Sequence, residues 1–263
     1  MAEFWGDEAA VERQKRLLAR KDVFARSPWL AYGSRLLVVV DPATGVWPEI
    51  SEMVEQDGIV ALVLMSEAEV DAWAARHLGA SWEVHSWDAF MGDAECIVAA
   101  SEAVVAARSL PKGWTARAVM VPDAEEVAKM QALNAVCGVS SSPGFAFRGE
   151  NVPALNVLIE DGEQRLMAMA HATMMFHPEG PFADTAFIGL VSVDPGARGL
   201  GLGVYANALC IVESRKALGL GRVTEFVARD NPASRAMVGR CGLHLDDALV
   251  AAIATRGGGR FTR

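Results

Sequence analysis

Residues 191–203 read VSVDPGARGLGLG, and this stretch decides the fold of the second half of the chain. Three glycines, Gly199, Gly201 and Gly203, lie in alternate positions between a predicted strand and a predicted helix. Glycine weakens both kinds of element, so three in five positions need a reason. A glycine turn that leads into a helix lets main-chain N–H groups approach an anion at the positive end of the helix dipole. The stretch therefore predicts a diphosphate-binding loop, and Arg198 adds a permanent positive charge beside it.

Three phosphate-loop motifs compete for this stretch. A Walker loop fails, because Gly203 is followed by Val-Tyr where that motif needs Lys-Ser/Thr. A dinucleotide fingerprint fits residues 201–206 as G-x-G-x-x-A, with Glu225 near the expected distance, but residues 194–198 intervene between the strand and the glycines. A dinucleotide-dependent oxidoreductase therefore stays as the weaker alternative. The third motif is R-x-x-G-x-G, which begins at Arg198 and follows a strand that ends V-x-V-x-P.

With this third motif the chain resembles the GNAT superfamily of acyl-CoA-dependent N-acetyltransferases. The resemblance continues through Asn231-Pro232-Ala233-Ser234 and Arg240-Cys241-Gly242-Leu243, and it covers roughly residues 115–250. It implies an α/β (α+β) fold, in which a mixed, mostly antiparallel and splayed sheet is flanked by helices and preceded by a smaller α/β domain. It also implies acetyl-CoA as co-substrate, no metal, and direct transfer of the acetyl group to a primary amine of a small molecule or peptide.

The resemblance further implies where the carrier binds. Strands at 185–193 and 222–228 would splay apart and hold the pantetheine arm, and the loop amides would hold the diphosphate. The implied carrier-binding residues are Val191, Val193, Arg198, Gly199, Leu200, Gly201, Leu202, Gly203, Val204, Asn231 and Ser234. The N–H group of Val193 is the implied catalytic donor to the thioester oxygen as that oxygen becomes negative. Asn231 also suits the N-cap of the last helix.

Two positions depart from the family pattern. Gly189 stands where many relatives carry a glutamate that acts as general base, and Val238 stands where relatives often carry a tyrosine that acts as general acid. If the hairpin before Gly189 turns symmetrically, His171 lies opposite it and fills the space of the missing side chain. Histidine titrates near neutrality, so His171 is the candidate catalytic base, and a hydrogen-bonded structural histidine is the alternative. Asp184 and Glu225 are weaker candidates. The two departures also favour a second hypothesis, a CoA-binding regulatory module without turnover.

Turn-forming residues near 109–113 predict a domain boundary. Residues 1–113 are interpreted as an accessory α/β domain and residues 114–263 as the acetyltransferase domain. The first part contains no R-x-x-G-x-G, so a degenerate second copy of the same fold there would bind no CoA. Local patterns place further elements: strands near 35–40, 59–65, 115–120, 154–160 and 165–176, a capped helix from Ser66 to about His77, another from Asp123 to about Val136, and one from the glycine loop to about Leu218.

Composition limits the partners. A net charge of −9 argues against nucleic acid, and no apolar run is long enough to span a membrane. Residues 1–113 hold 18 acidic and 10 basic side chains, against 15 and 14 in residues 114–263. This asymmetry predicts a solvated acidic surface or, alternatively, a field that attracts a cationic substrate. Four scattered cysteines and a charged N-terminus are typical of a cytoplasmic protein. The sequence leaves open whether the protein forms a homodimer.

Overall fold

The computed structural model describes residues 3–41 and 47–257 of the 263-residue chain. Its helices are α1 (Glu8–Ala19), α2 (Lys21–Phe24), α3 (Trp47–Asp57), α4 (Glu67–His77), α5 (Ala94–Ala106), α6 (Ala124–Val136), α7 (Gly144–Phe147), α8 (Leu202–Leu218) and α9 (Pro232–Arg240). Its strands are β1 (Leu30–Ala31), β2 (Val38–Val39), β3 (Ile59–Met65), β4 (Trp82–Asp93), β5 (Thr115–Val119), β6 (Ala154–Glu160), β7 (Leu166–Thr173), β8 (Thr185–Val193), β9 (Arg222–Val227) and β10 (His244–Arg256).

The strands of the described residues form one sheet, in the order β1-β2-β3-β10-β4-β9-β8-β7-β6-β5. Two neighbouring pairs, β2/β3 and β8/β9, are parallel, and the other pairs are antiparallel. Both parallel pairs are joined by a helix, α3 in the first case and α8 in the second, as a parallel connection requires. The predicted mixed, mostly antiparallel sheet flanked by helices is confirmed.

The two parts of the chain exchange strands at the centre of this sheet. β10 comes from the end of the chain and pairs with β3, while β4 comes from the N-terminal part and pairs with β9. β4 and β10 also pair with each other. The order β3-β10-β4-β9 is therefore nearly symmetric, with a parallel pair and its connecting helix on either side. The boundary predicted at residue 113 stays a prediction, because the sheet is continuous across both parts.

Local sequence patterns predicted most elements of the second part correctly. β6 and β8 have the predicted bounds, and α8 ends at Gly219, whose φ of 70° is the left-handed conformation that ends many helices. The predicted capping box of α6 is present: the Asp123 carboxylate accepts from the N–H groups of Glu125 and Glu126, and the Glu126 side chain accepts from the N–H group of Asp123. No strand was predicted over β4.

Packing on the two faces of the sheet fixes where α8 begins. Ala168, Ala170 and Ala172 of β7 are fully buried in the cluster that includes α8, whereas Met169 faces the opposite side, toward α6. Small side chains on one face let the helix lie close to the sheet. The N-terminus of α8 is thereby held at the end of β8.

Candidate functional site

The loop between β8 and α8 presents bare backbone at a helix N-terminus. After Val193 the chain makes a short 3-10 turn, in which the Asp194 carboxylate accepts from the N–H group of Gly196 at 2.8 Å. Gly199 and Gly201 then adopt left-handed φ angles of 83° and 74°. Gly201 is the N-cap of α8 and provides no side-chain hydrogen bond, so the first N–H groups of the helix are free of a side-chain cap. This arrangement suits an anion.

Two arginines lie beside this loop. Arg198 is exposed within it and makes no ion pair with any residue that the structure describes. Arg108 comes from the segment after α5, and its guanidinium lies over Gly201, where an added Cβ would be only 1.9 Å from Nη1. A second cation from the N-terminal part therefore covers the loop. Sequence analysis missed it, since an isolated arginine beside a predicted boundary gives no signal.

β8 and β9 separate next to the loop. They are paired from Thr185 to Phe187 on β8 and diverge beyond that point, so a slot opens between the ends of the two strands. Val191 borders this slot on one side, and Asn231 and Ser234 of α9 border it on the other. Asn231 is also the N-cap of α9, because its Oδ1 accepts from the N–H group of Ser234 at 3.0 Å.

A bulge in β8 controls which backbone groups face the slot. Leu190 has a φ of 53°, which is rare for a side chain of this kind, and the β7–β8 register shifts at the same place. Past the bulge, the N–H group of Asp194 donates to the carbonyl of Met167 on β7. Since successive N–H groups of a strand point to opposite edges, the N–H group of Val193 is directed away from β7 and toward the slot.

His171 lies opposite Gly189 in the β7–β8 pair, as predicted. The space beside Gly189 is nevertheless filled by Phe187, because a Cβ on Gly189 would be 2.8 Å from Phe187 Cζ. The expectation that His171 fills this space is therefore wrong. The aromatic ring two residues earlier on the same strand, and thus on the same face, occupies it instead.

The imidazole of His171 is buried and held in one tautomer. Its Nδ1 is 2.8 Å from Asn156 Oδ1, while Asn156 Nδ2 donates to the carbonyls of Val119 and Phe147. Because these two bonds fix the amide orientation, Nδ1 must be the donor, and Nε2 is left as an acceptor. Burial, together with the positive charge of Arg35, lowers the pKa of His171 to about 3. The ring is therefore neutral at physiological pH.

Glu225 is a second buried titratable group, at the point where β9 leaves β8. It is 3% exposed and follows Thr224, the last β9 residue paired with β8. Its Oε1 accepts from Asn207 Nδ2 of α8 at 2.7 Å. Burial raises the pKa of the Glu225 carboxyl to about 8, against the lowering effect of the Asn207 hydrogen bond. Unlike His171, this group changes its charge close to neutral pH.

A cavity of about 330 Å³ joins these groups. It extends from the slot between β8 and β9 to the face of the sheet that both parts of the chain share, and His171 and Glu225 both border it. Its apolar wall includes Val38, Ala61, Val63, Phe226, Ala251 and Ile253. The cavity is thus built from both parts of the chain and from their exchanged strand β10.

An ion-pair network holds the N-terminus of α9 against β4. The Asp88 carboxylate on β4 accepts from Arg229 Nε at 2.9 Å and from Arg235 on α9, and Arg229 also contacts Glu67. The hydrogen bonds from Arg235 and Arg229 lower the pKa of Asp88, although burial alone would raise it. A strand of the N-terminal part therefore positions the helix that borders the slot.

Other features of the described residues bear on the kind of site. No helix in this part of the chain is long and apolar enough to cross a membrane. Within residues 3–41 and 47–257, no group of three histidine, cysteine, aspartate or glutamate side chains is arranged to hold a metal ion.

Comparison with known proteins agrees with this geometry. Residues 133–243 match the family model described as the acetyltransferase (GNAT) family. This segment runs from the last turn of α6 to the residue before β10, and so includes the slot and the glycine loop. A search of curated proteins found no match.

Solved structures share the fold at low sequence identity. A GCN5-related N-acetyltransferase from Kribbella flavida is 17% identical, with a TM-score of 0.54 over 85% of this chain and 82% of that chain. A GCN5-related N-acetyltransferase-like protein from Streptococcus suis is 16% identical, with a TM-score of 0.56 over 94% and 100%. A tandem GNAT protein from the clavulanic acid biosynthesis pathway is 14% identical, with a TM-score of 0.56 over 84% and 73%. These likenesses extend over both parts of the chain.

Proposed function

Because residues 133–243 match the model of the acetyltransferase (GNAT) family, we propose that the protein transfers an acetyl group from acetyl-CoA to a primary amine by direct attack. The observation that carries this proposal is the meeting of a slot between two diverging strands with an uncapped helix N-terminus. β8 and β9 are paired only as far as Phe187 and Thr224, and the helix end suits a diphosphate.

In this proposal the carrier lies along the slot. The diphosphate binds to backbone N–H groups from Gly199 to Val204, which include those of Leu200 and Leu202, with Arg198 beside them. The pantetheine arm pairs with the β8 backbone at Val191 and Val193, like an added strand. Asn231 and Ser234 contact its other side.

Direct transfer requires stabilisation of the thioester oxygen and a route for one proton. The N–H group of Val193, directed into the slot, donates to the oxygen as the amine attacks. Nε2 of the neutral His171 accepts a hydrogen bond from the amine. The nitrogen of the neutral amine forms its bond to the acetyl carbon, the carbon–sulfur bond breaks, and the electron pair leaves with the CoA sulfur. The thiolate takes a proton from the Glu225 carboxyl, and the proton that the nitrogen loses on becoming an amide returns to the Glu225 carboxylate.

Glu225 is suited to exchange the proton near neutrality. Its carboxyl is mostly protonated at pH 7, because its pKa is about 8. It can therefore donate a proton to the departing thiolate, a role for which the buried Val238 has no polar group. We propose it as the replacement for the tyrosine that relatives often carry.

Acetyl-CoA titration by calorimetry, combined with a colorimetric assay for free CoA thiol over a panel of amines, tests this function. We expect binding, and thiol release that depends on the amine. Gly201→Glu introduces a negative side chain at a left-handed position and is expected to abolish binding while a folded far-UV spectrum is retained. Absence of binding in the wild-type protein would refute the assignment.

A second function is favoured by the two departures from the family pattern. Gly189 carries no base, and Val238 is fully buried among apolar residues. A CoA-binding regulatory module would bind acetyl-CoA with the same contacts but release no thiol with any amine. The two assays above separate this function from catalysis.

A further inference from the structure

One part of the wall of the cavity that continues from the slot is apolar, and this part bears on the acceptor. Its side chains come from β2, β3, β9 and β10 and are aliphatic or aromatic: Val38, Ala61, Val63, Phe226, Ala251 and Ile253. These side chains point to one face of the shared sheet, because they belong to one apolar cluster. A ligand seated there exchanges water for carbon on most of its surface, which favours an apolar body by roughly 25 cal/mol per Å².

We propose, on the basis of the acetyltransferase function proposed above, that the acceptor is a small primary amine with an apolar body and no second charge. The amine end meets the thioester at the slot, between His171 and the β8 backbone. The apolar body occupies the part of the cavity bordered by β3 and β10.

The charges around the cavity disfavour a polycation. Among the described residues that border it, Glu225 is the sole carboxyl, and it is mostly neutral at pH 7. Arg35 brings a positive charge, held in the interior by a hydrogen bond from Nη1 to the carbonyl of Ser140. Burial lowers the pKa of Arg35 to about 10, so it stays charged at neutral pH. A second ammonium group would be desolvated beside this charge without a carboxylate to pair with.

The size of the cavity disfavours a peptide. Ligand pockets span about 300 to 1,000 Å³, and this one, at about 330 Å³, also includes the part of the slot that the thioester must occupy. The space left for the acceptor is therefore smaller than the volume of the whole cavity. Residues 1–113 carry a surplus of acidic side chains, but Glu225 is the sole carboxyl among the described residues that border the cavity. The cationic substrate that this surplus suggested is therefore not part of the proposal.

The test compares acetyl transfer to four amines: 3-methylbutylamine, cyclohexylmethylamine, spermidine and a short peptide with one lysine. We expect kcat/KM for the two apolar amines to exceed that for spermidine and the peptide by at least about tenfold at pH 8. Higher kcat/KM for spermidine or the peptide, with acetyl-CoA binding intact, would overturn the apolar acceptor and leave the acetyltransferase function standing. Failure to bind acetyl-CoA, or to release thiol with any amine, would overturn both.

A pair of matched variants locates the acceptor in the cavity. Phe226→Leu changes the wall, whereas Phe4→Leu makes the same change at a half-buried ring that packs on Phe145 and does not border the cavity. We expect Phe226→Leu to change the kcat/KM ratio between cyclohexylmethylamine and 3-methylbutylamine by threefold or more, and Phe4→Leu to leave it unchanged. If Phe226→Leu keeps the kcat/KM ratio of the wild-type protein, and calorimetry shows unaltered acetyl-CoA affinity, the acceptor lies elsewhere.

Discussion

Gly203 allows the proposed carrier site to be tested apart from the stability of the fold. It lies in the first turn of α8, outside the left-handed region of φ, so its backbone does not require glycine. A Cβ there would lie 3.5 Å from Val193 Cγ2, 3.8 Å from Met237 Sδ and 4.0 Å from Val191 Cγ1. These are ordinary van der Waals contacts, so the protein itself tolerates alanine. The added methyl group would stand between the end of β8 and α9, where the carrier is proposed to pass.

Gly203→Ala is therefore expected to stabilise the protein and to weaken acetyl-CoA binding. Alanine in place of glycine in a helix gains about 0.5–1 kcal/mol, which for a chain of this size raises the thermal midpoint by about 1–4 °C. A methyl group forced into an occupied site costs about 1–3 kcal/mol, and the dissociation constant would rise roughly 5- to 150-fold. Differential scanning calorimetry measures the first effect, and titration calorimetry with acetyl-CoA measures the second.

Gly239 offers the matched control. It lies in α9, is exposed, and an added Cβ would meet no heavy atom within 4 Å. Gly239→Ala should raise the thermal midpoint by a similar amount and leave the acetyl-CoA affinity unchanged. The reasoning is refuted if Gly203→Ala binds acetyl-CoA as tightly as the wild-type protein, or if the Gly239 variant loses affinity to the same extent.

Three further predictions concern titratable groups that are buried or half-buried. Because the folded-state pKa of Glu225 is raised to about 8, its contribution to stability is lost as pH rises from about 4.5 through 8. In urea titrations, the free energy of unfolding of Glu225→Gln should therefore exceed that of the wild-type protein by a few kcal/mol more at pH 8.5 than at pH 5. The same pH dependence of stability in both proteins would contradict this. The pKa of Asp88 is lowered, so Asp88→Asn should reduce the free energy of unfolding by about 1 kcal/mol at pH 7. In urea titrations this difference should shrink as pH falls through the acidic range, and a difference that persists at pH 3 would speak against the ion pair with Arg235. His171→Leu leaves Asn156 Oδ1 without its donor and should destabilise the fold by about 1–3 kcal/mol in urea titrations. Because the pKa of His171 is about 3, the variant should keep the shape of the pH–rate profile between pH 6 and 9, and a changed shape would show that His171 titrates in that range.

The sequence predicted the second half of the fold well because its signals are local. The capping box at Asp123, the left-handed glycine that ends α8 and the apolar run of β8 each depend on neighbouring residues. Pairing of His171 with Gly189 was also predictable, since the length of a hairpin fixes its register. A polar residue in each of two apolar strands, Asn156 and His171, was a further signal that the two side chains meet.

β4 illustrates what local signals miss. It carries Glu83, His85 and Asp88, and its side chains do not alternate between apolar and polar as those of a half-buried strand do. It becomes a strand because β9 and β10 provide hydrogen-bonding partners on both sides. Partners that lie far away in sequence leave no periodic trace in the strand itself.

The sequence by itself determined the loop: the order of glycines, the arginine beside them and the helix that follows are set by φ angles and capping groups within a few residues. Only the tertiary structure decided the exchange of β4 and β10, the placement of Arg108 over Gly201 and the apolar cavity that both halves line. The tertiary structure also decided the shifted pKa values of His171 and Glu225, because burial produces these shifts and burial depends on side chains from distant parts of the chain. Backbone conformation is a property of neighbours in sequence, whereas the environment of a side chain is a property of neighbours in space.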